Sequence, residues 1–99
     1  MKTVLVSNME ASDIASILLE ERRSTIFGEE SVFEIDPSYM KCLIEIPSVE
    51  LTIEIGIEEV EEEGESLRKI TFNRVKGDPL SYREVFNMAR TELMDILAY

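Results

Sequence analysis

The stretch ITFNRVKGDPLSYREVFNMARTELMDIL, residues 70–97, decides the fold. It reads as a strand, a sharp Gly77-Asp78-Pro79 corner and a long amphipathic helix. Tyr82, Val85, Phe86, Ala89, Leu93, Ile96 and Leu97 recur at the spacing that gathers side chains on one side of a helix. Asp78 is placed to cap that helix and Pro79 to open it, while Ser81 with Glu84 offers a competing capping box. Gly77, Asp78, Pro79, Tyr82 and Phe86 are therefore the structural motif on which the rest of the reading hangs. Arg83 and Arg90 fall off the apolar stripe.

Working backwards, residues 67–76 form the strand that feeds the corner, with Ile70 and Phe72 inward and Arg74 at the rim. Ahead of it lies Glu58–Ser66, in which six glutamates flank Gly64, and mutual repulsion predicts an extended, mobile tip. Residues 49–57 carry the clearest strand: Val49, Leu51, Ile53, Ile55 and Ile57 alternate with Glu50, Thr52 and Glu54. Such alternation means one buried face and one wet one. Residues 39–46 alternate likewise through Met40, Cys42, Ile44 and Ile46, and the Pro47-Ser48 turn pairs this strand with the next. Val32–Ile35 is expected to pair only briefly, because Asp36-Pro37-Ser38 interrupts it.

The chain opens with a β-rich run, Lys2–Ser7, then a helix from about Ala11 that stops around Arg22–Thr25. Ile14, Ile17, Leu18 and Glu21 share one side of that helix. The expected architecture is α+β in two layers: a four-stranded antiparallel sheet with two helices packed on one face, in the order β-α-β-β-β-α. Residues 1–99 read as a single domain.

Composition narrows the function. Twenty-one acids against 10 bases give a formal charge of −11, which disfavours nucleic acid and anionic lipid and favours a basic protein surface. The chain has no histidine, which removes the usual general base and most zinc sites. No phosphate-binding glycine loop or calcium-loop spacing occurs either. The expectation is no enzyme, no cofactor and no metal. Cys42, the single cysteine, reads as a small buried hydrophobe. No apolar run approaches membrane-span length and the opening residues lack a signal pattern, so an intracellular address, cytoplasm or nucleus, is expected. Arg68, Lys69, Arg74, Lys76 and Arg83 cluster around the last strand and the start of the last helix. They are candidate contacts for a phosphate, a lipid headgroup or an acidic partner segment, or else they balance nearby glutamates across the hairpin.

At residues 70–97 the chain resembles the kinase-associated C-terminal domain, most closely the regulatory domain of checkpoint-type Ser/Thr kinases. Arg74 before the turn, Gly77-Asp78, the aromatic Tyr82 and the apolar helix carry the resemblance. SNMEASDIASILLEE, residues 7–21, resembles the family's opening strand-to-helix stretch. The resemblance implies a non-catalytic regulatory module that restrains or docks onto the kinase domain of its parent chain or a regulatory protein. It also implies an alternative role in binding anionic phospholipid through basic residues near the last strand. Thr71 and Asn73 stand where some lipid-binding members carry cations, and Arg74 holds the matching position. A free-standing acidic adaptor is a further alternative.

Overall fold

The computed structural model describes residues 2–36 and 41–97. The fold is α+β with an antiparallel sheet, and the sheet has five strands rather than four. The strands are β1 (Lys2–Ser7), β2 (Val32–Asp36), β3 (Lys41–Ile46), β4 (Leu51–Glu62) and β5 (Glu65–Lys76). Their order across the sheet is β1-β5-β4-β3-β2. Three α-helical segments rather than two complete it, α1 (Ala11–Ser16), α2 (Arg23–Phe27) and α3 (Pro79–Leu97), so the order is β-α-α-β-β-β-β-α and not β-α-β-β-β-α.

The extra strand is the segment expected to pair only briefly. Val32 to Asp36 pairs residue for residue with β3, from Val32 opposite Glu45 to Asp36 opposite Lys41. As an edge strand it needs only one hydrogen-bonded neighbour, so a following proline costs it nothing along its own length. Pro37, Ser38, Tyr39 and Met40 lie outside the described residues. The strand expected from residue 49 begins at Leu51, because Pro47–Val49 forms a 3-10 turn and Glu50 takes left-handed dihedrals (φ 51°, ψ 43°).

The first helix also departs from expectation. It stops at Arg22, within the expected bounds, but its last turn, Ile17–Glu21, is π-helical, with the Arg22 amide donating to the Ile17 carbonyl at 2.8 Å, and the separate short helix α2 follows. A regular α-helix continued from Leu18 would turn Arg22 and Thr25 inward. The π turn and the break at Arg22 (φ −115°, ψ 10°) instead bring Ile26 and Phe27 to the core, at 5% and 2% exposure, and leave Glu21 in solvent.

The core lies between the sheet and these helices. Cys42, Ile44 and Ile46 of β3, Leu51, Ile53 and Ile55 of β4, and Ile70 and Phe72 of β5 are buried with Ile14, Leu18, Phe27, Tyr82, Phe86, Ala89 and Leu93. The stripe read from the last helix is thus the buried one as far as Leu93; the Ile96 and Leu97 side chains lie outside the description. Phe72 meets Phe86 edge to face with centroids 5.2 Å apart. Cys42 is buried, and desolvation pushes its thiol from an ordinary 9.0 to about 11, which makes it an inert core residue.

Glu58–Ser66 is not a loose tip. β4 and β5 stay paired through Glu62 opposite Glu65, and the turn is Glu63-Gly64 alone. Both turn residues have positive φ, 52° and 82°, the two-residue type I′ geometry that matches strand twist. Glu63 is a poor residue for that position. Glu63→Asn should raise stability by about 0.5–1 kcal/mol, since Asn tolerates left-handed dihedrals. A urea midpoint that falls would contradict this turn.

Candidate functional site

The five candidate cations do not converge on one surface. Arg68 faces the helices, is 8% exposed, and ion-pairs Glu10 at 3.1 Å and Glu59 at 3.8 Å. It also donates to the Ser66 carbonyl at 3.3 Å. It ties α1's entry to the β4–β5 hairpin. Arg74 is opposite Ile53 on the same covered side, and its guanidinium donates to the Gly77 carbonyl across the corner. Lys69 and Lys76 belong to the opposite, helix-free face of the sheet, where they pair with Glu58 and Thr52. Arg83 is exposed on α3. A bulge helps to separate them: Thr52 faces Lys76 while Ile53 faces Arg74, so Val75 is an extra residue in β5.

The corner itself is built as read. Asp78 accepts from the Ser81 amide at 3.1 Å, and its own carbonyl accepts from the Tyr82 amide at 3.0 Å. Tyr82 then reaches back beneath α3 and donates its hydroxyl to the Phe72 carbonyl at 3.0 Å.

One surface shaped to receive another molecule is the helix-free face. Three of its positions on β4 are Glu54, Gly56 and Glu58, which stand opposite Asn73, Thr71 and Lys69 of β5. On the other side Leu43 and Lys41 of β3 oppose Glu54 and Gly56. Because Gly56 has no side chain, the centre of the sheet carries a hollow of about 420 Å³ bordered by Lys41, Glu54, Glu58, Thr71 and Asn73. An added Cβ at Gly56 would come no closer than 4.0 Å to the Lys41 side chain, so the position is open rather than sterically forced to be glycine.

Sequence reasoning passed over Gly56. A signal was present: a lone glycine at a polar-phase position inside a strand marks a place where something approaches the backbone. The three ion pairs among the described residues are Arg22–Glu92 at 3.4 Å and the two made by Arg68. Glu54 and Glu58 are in none of them. No group of three or more histidine, cysteine, aspartate or glutamate residues among the described residues is arranged to hold a metal ion. No helix among them is long and apolar enough to cross a membrane.

No protein-family model and no curated protein matches this chain.

Proposed function

We propose that this chain is a non-catalytic regulatory module of a Ser/Thr protein kinase. It acts by docking on the kinase domain of its parent chain or on a regulatory protein. The observation that carries the reading is the two-sided sheet: helices pack on one face, and among the described residues the other carries no helix and holds a hollow bordered mainly by polar side chains. That second face adds nothing to the core, so its shape is available for contact.

The corner motif supports the family assignment. Arg74 holds Gly77, Asp78 caps α3, and Tyr82 anchors to β5, so each residue behind the resemblance has a structural task. The charge of −11 supports a basic partner, whose field would steer encounter.

The test has two steps. The reading frame carrying residues 1–99 should encode a Ser/Thr kinase domain. Adding the isolated module to that domain in trans should change its rate, most simply by lowering it, and the change should weaken with salt. A frame without a kinase domain, or an unchanged rate with no complex detected by sedimentation, refutes the proposal.

A further inference from the structure

β4 and β5 each run 12 residues, while β3 and β1 run six. Among the described residues, β3 pairs with β4 as far as Gly56, and β1 with β5 from Arg68. Among the described residues, the hairpin beyond those points is a two-stranded arm. On the helix-free side of the arm, Val60 stands opposite Leu67. Neither belongs to the hydrophobic core or packs against it. Farther out on the same side Glu62 stands opposite Glu65. Like charges directly opposite one another cost stability in an isolated hairpin.

These groups form one line. Along β4 it runs from the Gly56 hollow, past the Glu58–Lys69 pair, over the Val60–Leu67 apolar pair, to the Glu62–Glu65 carboxylates. At 3.4 Å per residue the line is about 20 Å long. Glu54 and Glu58 flank the hollow with α-carbons about 13 Å apart, which leaves room for one guanidinium between their carboxylates. Lys41 borders the hollow too and Lys69 stands opposite Glu58, but with Glu62 and Glu65 the line carries four carboxylates against two ammoniums.

We infer that this line is a docking track for an extended basic segment of a protein partner. One arginine enters the hollow over Gly56, an apolar side chain covers Val60 and Leu67, and a second arginine sits between Glu62 and Glu65. In an extended chain every second residue faces down, so the partner reads Arg-x-x-x-apolar-x-Arg in one direction or the other. This rests on the docking reading above and names the chemistry of its partner.

The test uses the whole chain and a capped heptapeptide, Arg-Ser-Ser-Ser-Leu-Ser-Arg, together with its reverse. One of the two should shift the amide resonances of Gly56, Val60, Leu67 and Thr71 while leaving α3 unmoved. Replacing the peptide leucine by serine should weaken binding about tenfold, the loss of one buried apolar contact. Gly56→Leu, which fills the hollow on an exposed strand face, should weaken it at least as much, with the α3 resonances reporting an intact fold.

Equal binding by the leucine and serine peptides that vanishes for both at about 150 mM salt would overturn the track, leaving charge attraction alone. So would shifts confined to another face, or the same amides responding to phosphatidylserine vesicles instead. The kinase assay separates the two proposals. A kinase domain that binds Gly56→Leu as well as the parent sequence sinks the track and spares the docking reading. A peptide that maps to the track when no kinase domain binds does the reverse.

Discussion

Gly77→Ala should cost about 3 kcal/mol or more, a large part of the total stability of a domain this size. Two separate penalties combine. Gly77 has φ of +118°, which L side chains rarely adopt. An added Cβ would also lie 2.8 Å from the Glu50 carbonyl oxygen and 3.0 Å from the Leu51 α-carbon. Those are backbone atoms, and Leu51 is buried at 1% exposure, so neither neighbour can swing aside. The expected thermal midpoint falls by more than about 12 °C. Gly64→Ala is the control: its φ of +82° is also unfavourable, but nothing lies within 4 Å of the added carbon. That variant should lose only about 1–2 kcal/mol. Equal losses at the two glycines would show that the close approach of the corner to the β3–β4 turn is not real.

Tyr82→Ala should be comparably severe, about 3–5 kcal/mol, the usual range for emptying a buried aromatic site. Tyr82 is 1% exposed, stacks on Phe86 with centroids 6.4 Å apart, and bonds the Phe72 carbonyl. Tyr82→Phe keeps the ring and removes the bond, and should lose about 1–2 kcal/mol. The difference between the two variants, read from urea unfolding, separates ring packing from the tie between α3 and β5. If Tyr82→Phe alone matches Tyr82→Ala, packing is not what holds this residue.

Legibility in the sequence followed local periodicity. α3 was readable because its stripe and its Asp78 cap are both local, and β3 and β4 because alternation is local. β2 was undervalued because the nearby proline matters to a central strand and not to an edge. The length of the β4–β5 arm was hidden behind its glutamates. Their repulsion is real, but the Glu63-Gly64 turn and the Val60–Leu67 and Glu59–Arg68 pairs keep the strands together. The π turn had no local sign either. It is visible only once Ile26 and Phe27 are required to face the same way as Leu18. For the candidate site, counting cations along the chain could not reveal that alternation sends Arg68 and Lys69 to opposite faces. Gly56 drew no notice, because a missing side chain contributes nothing to a charge or apolar pattern.

The position of β1 bears on how the molecule is made. β1 precedes the other four strands in the chain, yet its neighbour is β5: Ser7 waits for Arg68, and Lys2 for Asn73. At about 5–20 residues per second that wait lasts some seconds on the ribosome. Throughout it, β1 is an unsatisfied, β-rich segment. The three-strand meander β2-β3-β4 can close in the meantime, so the return of β1 to β5 follows the closure of the meander.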